Sequence, residues 1–318
     1  MRTLVLAMGA LALLTMVGLV VALAWPMPEA DGGPKMEVFT CGAEPELGPD
    51  ADYLARDGRR LPLRISSAEA SETALILLHG GSSCGDYLHA MASYLARESS
   101  TTVFVPDLRG HGYAPGPRGD VAYVEQLVDD VADLVKHVRQ QRSWDRLILG
   151  GHSGGGGLAL KVAQSEYANS IDGYLLVAPF LGVGSPTDPS PSRANFAFPN
   201  VPRIGALTVL NGLGITALDG LPVVRFNWPR HQVTDRLTTS YTWRLLKGLV
   251  PGNHASALEA VGEPMLVAVG EEDEAVVAAH VPRVVNRHAP HAECRGVVAL
   301  SEVPSPMAPS PHAHAFPF

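Results

Sequence analysis

In Leu147-Ile148-Leu149-Gly150-Gly151-His152-Ser153-Gly154-Gly155 an apolar run stops at a serine with glycines two positions before and two after it. A strand that delivers Ser153 into so tight a turn leaves no room for side chains at Gly151 and Gly155. A helix starting at once then aims its free amides at the hydroxyl, which is the geometry of a nucleophile elbow. A purely structural strand-to-helix turn is the plain alternative. A phosphate-binding loop fits poorly, because no Lys-Ser or Lys-Thr pair follows Gly157 to meet a phosphate. Two further motifs stand upstream, His79-Gly80-Gly81 after an apolar run ending at Leu78 and Asp107-Leu108-Arg109-Gly110-His111-Gly112 after one ending at Val105. A serine hydroxyl is a poor nucleophile until a histidine takes its proton, and that histidine needs an acid behind it to fix its tautomer.

Strands must carry these motifs. Tyr53 to Arg56 and Leu61 to Ile65, split by Asp57-Gly58, predict a hairpin. Ala74 to Leu78, Thr102 to Val105, Leu147 to Leu149, Tyr174 to Ala178, Met265 to Val269 and Gly296 to Leu300 read as strands. Tyr87 to Arg97, Val121 to Val138 and Leu158 to Ala168 carry helical spacing of apolar side chains. This alternation predicts an α/β fold, a mainly parallel sheet with helices on both faces. The rhythm breaks over about 181–253, where Pro- and Gly-rich pieces alternate with Ile204 to Leu213, Trp228 and Trp243. That density of large apolar residues predicts an inserted cap rather than a disordered loop. The Arg-Gly-Asp at Arg118 to Asp120 reads as a loop leading to a helix N-cap.

Together the three motifs, in this order on these elements, resemble the α/β-hydrolase superfamily, in its monoglyceride lipase and lysophospholipase-like branch. The resemblance runs from about Ala51 to Leu300. It implies an oxyanion hole from the amides of Gly81 and Gly154. In Gly270-Glu271-Glu272-Asp273-Glu274, Asp273 falls on the family's Gly-x-x-Asp position and is the implied acid, with the neighbouring glutamates as solvated loop charges. The family's histidine follows the last strand and precedes a closing helix. Here the chain runs on through Pro304, Pro306, Pro309 and Pro311 to Phe318, a spacing no helix tolerates. His312 and His314 are the only histidines in that tail, and His312 is the candidate base. A tail translated out of frame is the alternative, compatible with the chain's Ala, Gly, Pro and Arg usage.

The 318 residues, 46% hydrophobic and 18% charged, suffice for one large core with an embellishment. A net charge of -8 without a basic run argues against nucleic acid. Cys41, Cys84 and Cys294 are too few for a disulfide framework or zinc site and read as buried free thiols, although Cys41 and Cys84 could pair in an oxidising compartment. Leu4 to Trp25 hold no charge, with Arg2 before and Glu29 and Asp31 after. Residues 1–25 are therefore expected to be a transmembrane anchor with the catalytic domain outside the cytoplasm, or a cleaved signal on a secreted protein. Residues 26–50 read as a linker and 51–318 as the hydrolase domain. The resemblance implies an ester hydrolase acting on single-chain lipids without metal or cofactor. A peptidase or acyltransferase with the same triad, and a binding protein that has lost its base, are the rival readings.

Overall fold

Asp57-Gly58 turns the chain back as its chemistry demands: Gly58 takes a φ of 80°, and Ala55 exchanges backbone hydrogen bonds with Gly58 and Arg59 at 2.9 Å. In the computed structural model this hairpin opens an eight-stranded sheet. The structure describes residues 2–33, 41, 48–189 and 195–297. Its strands are β1 (Ala51–Leu54), β2 (Arg60–Ser66), β3 (Thr73–Leu78), β4 (Thr101–Pro106), β5 (Arg146–His152) and β6 (Gly173–Val177). After a second, three-stranded sheet of β7 (Ala197–Pro199), β8 (Pro222–Phe226) and β9 (Ser240–Thr242), the main sheet is completed by β10 (Met265–Gly270) and β11 (Glu293–Val297). Its order is β1-β2-β4-β3-β5-β6-β10-β11. Only the pairings of β2 are antiparallel; from β4 to β11 the neighbours run parallel.

Parallel strands covered on both faces read as continuous apolar runs, and successive side chains divide between the two layers. In β3, Ala74, Ile76 and Leu78 join the core that holds Leu127 and Leu158, whereas Leu75 and Leu77 face Leu88 and Ala92. The helices are α1 (Arg2–Ala24), α2 (His89–Glu98), α3 (Gln126–Gln141), α4 (Gly154–Ala163), α5 (Val201–Gly212), α6 (Trp243–Leu249), α7 (His254–Glu259) and α8 (Val281–His288). Leu127, Val131, Leu134 and Val138 place the buried stripe of α3 at helical spacing. That helix begins at Gln126, not near Val121. Asp120 does not cap it; its carboxylate is taken by Thr242 Oγ1 at 2.8 Å and Arg244 Nε at 2.7 Å.

The residues between β6 and β10 lie on the main sheet's loops. Thr242 donates its amide to Gly119 O at 2.9 Å, Arg244 pairs with Asp120 at 2.5 Å, and α6 packs on α4.

Two expectations are corrected. Among the described residues no helix is long and apolar enough to cross a membrane, so the transmembrane anchor, the membrane as a partner and the extracytoplasmic placement are not supported. The N-terminal residues do form α1, which packs on α5, and Leu6, Leu14 and Val20 on it are exposed. Of the carbonyls that a helix leaves free at its C-terminal end, Leu23 O accepts from Arg203 Nε at 2.9 Å, and just beyond the helix Asn200 Nδ2 donates to Trp25 O at 3.0 Å and Pro26 O at 3.1 Å. The chain beyond it is held as well, with Asn227 Nδ2 donating to Asp31 Oδ1 at 2.7 Å and Asn227 Oδ1 accepting from Gly32 N at 2.7 Å. The second correction concerns the thiols. Cys41 and Cys84 are both fully buried and form a disulfide, because the fold brings their α-carbons to 5.7 Å. Cys294 alone is a free thiol among the described residues.

Candidate active site

β5 is central, paired in parallel with β3 and β6, and Leu147 and Leu149 anchor it with no exposure. Ser153 continues its ladder, donating its amide to Val177 O at 2.9 Å. The chain then turns sharply: Ser153 has φ 50° and ψ -117°, and α4 starts at the next residue. A side-chain-bearing residue at such a φ is strained and persists only where its surroundings hold it. Here the Ser153 carbonyl accepts from Phe180 N at 2.9 Å and Gly157 N at 3.2 Å. The flanking glycines are required by backbone contact. A β-carbon on Gly151 would stand 2.2 Å from Gly155 C, and one on Gly155 would stand 2.3 Å from Leu78 O.

The segment after β3 reaches the same place. The point where a Gly154 β-carbon would stand lies 3.3 Å from Gly81 N, so the start of α4 and the segment after β3 meet beside Ser153. His79 sets the direction of the Gly81 amide. Its Nε2 lies 2.9 Å from Leu108 N, which can only donate, so Nδ1 carries the proton and donates to Gly80 O at 2.8 Å. In a trans peptide the carbonyl and the following N–H point in opposite directions. Fixing Gly80 O therefore fixes the Gly81 N–H. On the other side Gly80 N donates to Tyr87 Oη at 2.5 Å, and that hydroxyl also meets His152 Nδ1 at 2.9 Å.

Burial keeps these rings neutral. His79 is pushed below its ordinary value, with Asp107 opposing; burial and the neighbouring His79 push His111 down to about 3. For a base with a lowered native pKa, the unfolded chain binds the proton first, so acid favours unfolding from about pH 6.5 downward. Each such histidine is expected to cost about 1.4 kcal/mol of stability per pH unit over that range. Urea unfolding of wild type and His111→Gln at pH 7 and 4.5 checks this. The variant should show the smaller loss on acidification.

Asp273 lies just past β10, its amide donating to Gly270 O at 3.2 Å. Strands β5, β6 and β10 are neighbours in the parallel sheet, so Ser153 and Asp273 leave the same carboxyl edge with one strand between them, where α/β sheets bind ligands. Oδ1 of Asp273 accepts from Ala275 N at 2.9 Å and Val276 N at 2.7 Å. Burial nevertheless raises its pKa, against those two hydrogen bonds and helped by Glu274. Glu271, Glu272 and Glu274 are exposed, and with Asp273, Val276 and Val277 they line a recess of about 310 Å³.

His312 and His314 lie outside the described residues. Among the described residues no histidine is hydrogen-bonded to Ser153 or Asp273: His280 Nδ1 meets Pro186 O at 2.7 Å, and His288 Nδ1 meets Glu259 at 2.8 Å. The structure brings the segments of Gly81, Ser153 and Gly154 together. Tyr87 and Tyr241, which contact the loop after β3, carried no signal in the sequence, since a lone tyrosine in a helical or capping segment reads as core.

Residues 69–298 match the model of the family described as serine aminopeptidase, S33. The chain belongs to this family. As an S33 member it has the α/β-hydrolase fold. It is 30% identical over 153 residues to a monoglyceride lipase of Rattus norvegicus, covering 46% of this chain and 49% of that protein. A monoglyceride lipase of Mus musculus is 29% identical over 153 residues. The chain thus spans about half the length of the curated relatives it matches. In fold it is similar to a monoacylglycerol lipase of Paleococcus ferrophilus, with a TM-score of 0.56 at 19% identity over 75% of this chain and 88% of that one. An esterase of Thermogutta terrifontis is similar at a TM-score of 0.52 and 19% identity, over 78% and 89%.

Proposed function

We propose that this S33-family chain hydrolyses carboxylic esters through an acyl-enzyme on Ser153, with single-chain lipids such as monoacylglycerols or lysophospholipids as substrates. The observation that carries the reading is Ser153 at φ 50° on the elbow, with the Gly81 and Gly154 amides beside it. In this reading Ser153 Oγ attacks the acyl carbon and its proton passes to an imidazole, assigned to His312, whose tautomer Asp273 fixes. The Gly81 and Gly154 amides hold the negative charge on the carbonyl oxygen, and one such donor supplies about 3 kcal/mol. The imidazolium returns the proton to the leaving alcohol as the C–O bond breaks. Water then attacks the acyl-enzyme and releases the acid. No step needs a metal or cofactor.

The lipid assignment is supported by the monoglyceride lipase relatives and by an apolar wall at the site, where buried Leu249 of α6 lies 3.1 Å from the place of a Gly154 β-carbon. The family's description as aminopeptidases keeps a peptidase reading in view. The proline spacing of the tail, which tolerates no helix where the family places its closing one, favours as second reading a binding protein without a base. The full chain should therefore be assayed on short and long p-nitrophenyl esters, monoacylglycerols, lysophospholipids and aminoacyl amides, beside His312→Ala and His314→Ala. Turnover of long-chain esters that falls at least about 10³-fold with His312→Ala and not with His314→Ala is the expected result. Cleavage confined to amides would support the peptidase. A folded chain that binds long-chain lipid without turnover would support the binding protein.

A further inference from the structure

The segment between β6 and β10 grips the oxyanion loop at the residue after Gly81. Tyr241, in the middle of β9, is 2% exposed, and Ser82 and His111 are fully buried. Ser82 N donates to Tyr241 Oη at 2.5 Å, and the same hydroxyl lies 2.5 Å from His111 Nε2. The direction of that second bond follows from the other ring nitrogen. His111 Nδ1 lies 3.1 Å from Arg109 O, which can only accept, so Nδ1 holds the proton and Nε2 a lone pair. Tyr241 therefore donates to His111 and accepts from Ser82, in one chain of three hydrogen bonds. More of the same segment closes on Ser82: its Oγ donates to Thr238 O at 2.5 Å and accepts from Trp228 Nε1 at 2.6 Å, and its carbonyl accepts from Thr238 N at 3.1 Å.

These contacts hold Ser82 at φ 71°, a conformation a serine does not take unassisted. The consequence reaches Gly81. The N–H of Ser82 and the carbonyl of Gly81 share one peptide plane, as the N–H of Gly81 shares the previous plane with the carbonyl fixed by His79. With both planes fixed, Gly81 has no freedom left to turn its amide away. The Tyr241 hydroxyl is itself 3.1 Å from the place of a Gly81 β-carbon.

We propose that Tyr241 is a positioning residue for the oxyanion hole: its hydroxyl holds the Ser82 N–H, and with it the second of the two peptide planes between which the Gly81 amide is set. This deepens the ester-hydrolase reading and rests on it. Misaiming one preorganised donor forfeits part of the 10²- to 10³-fold that its deletion costs. Tyr241→Phe removes the hydroxyl and keeps the ring. Its kcat on a p-nitrophenyl ester is expected to fall about tenfold with KM within about twofold, and its Ki for a trifluoromethyl ketone, which forms an oxyanion on Ser153, to rise by the same factor.

Arg244→Gln loosens the same segment at Asp120 without touching Ser82, and is expected to lower the unfolding midpoint with kcat unchanged. A Tyr241→Phe protein with wild-type kcat and Ki overturns the assignment, as does an Arg244→Gln protein with the same kcat loss. Should Tyr241→Phe not fold, His111→Gln and His111→Leu carry the test. Glutamine keeps an acceptor for the hydroxyl and leucine does not, so kcat should survive only in the first, and equal kcat in the two overturns the proposal. Wild-type protein that turns over no ester and takes no fluorophosphonate on Ser153 overturns instead the reading on which the proposal rests.

Discussion

Ser153→Ala is expected to lower kcat on a p-nitrophenyl ester by roughly 10⁵-fold, leaving only what binding and the oxyanion amides supply. The fold should not change. Alanine accepts the same φ of 50° at the same cost, and among the described residues every hydrogen bond of Ser153 is made by its backbone. Steady-state kinetics beside a urea melt check this. Intact-mass analysis after fluorophosphonate treatment adds a second readout, in which wild type gains one adduct and the variant none. A variant that keeps a tenth of the activity would place the nucleophile elsewhere.

Asp273→Asn is expected to lower kcat by about 10⁴-fold, with KM little changed. The carboxylate has two oxygens and the backbone already uses one, since Oδ1 receives both Ala275 N and Val276 N. Among the described residues the second accepts no hydrogen bond, and in the proposed mechanism it takes the histidine N–H. Asparagine can keep its oxygen on the two amides, but it then presents a donor where an acceptor is needed, and the imidazole is turned into the tautomer that cannot take the serine proton. Exposed Glu271 and Glu272 provide the comparison. Their glutamine variants should retain kcat within about twofold, and a large loss there with activity kept in Asp273→Asn would move the acid to a neighbour.

Much of the fold was legible because it rests on local patterns. The Asp57-Gly58 hairpin, the strands around Ile76, Phe104 and Leu149 and the stripe of α3 each follow from turn chemistry or apolar period. Element edges were less legible. Apolar spacing marks α4 only from Leu158, because a run of glycines carries no period; the elbow requires the helix at once after Ser153, and it runs over Gly154–Ala163, where a β-carbon on Gly155 or Gly156 would meet Leu78 O or Pro179. Asp120 looked like a cap because Asp is a frequent N-cap, yet Arg244, 124 residues away, claims its carboxylate.

The sequence by itself determined the elbow. Glycines at 151 and 155 leave Ser153 one way to stand, and the order of the three glycine-bearing motifs is a property of the chain alone. The tertiary structure decided what no spacing could. Cys41 and Cys84 become a disulfide, 43 residues apart, because the fold brings their α-carbons together. Among the described residues no helix is long and apolar enough for the bilayer crossing expected of the N-terminus. The tautomer of His79 is likewise fixed by Leu108 N, from a loop distant in sequence, and that of His111 by Arg109 O, which leaves Nε2 to accept from the Tyr241 hydroxyl. A local pattern fixes what neighbours in the chain can do to one another. Which proton sits on a buried ring, and which tyrosine holds an amide in place, depends on groups that meet only after the sheet has formed.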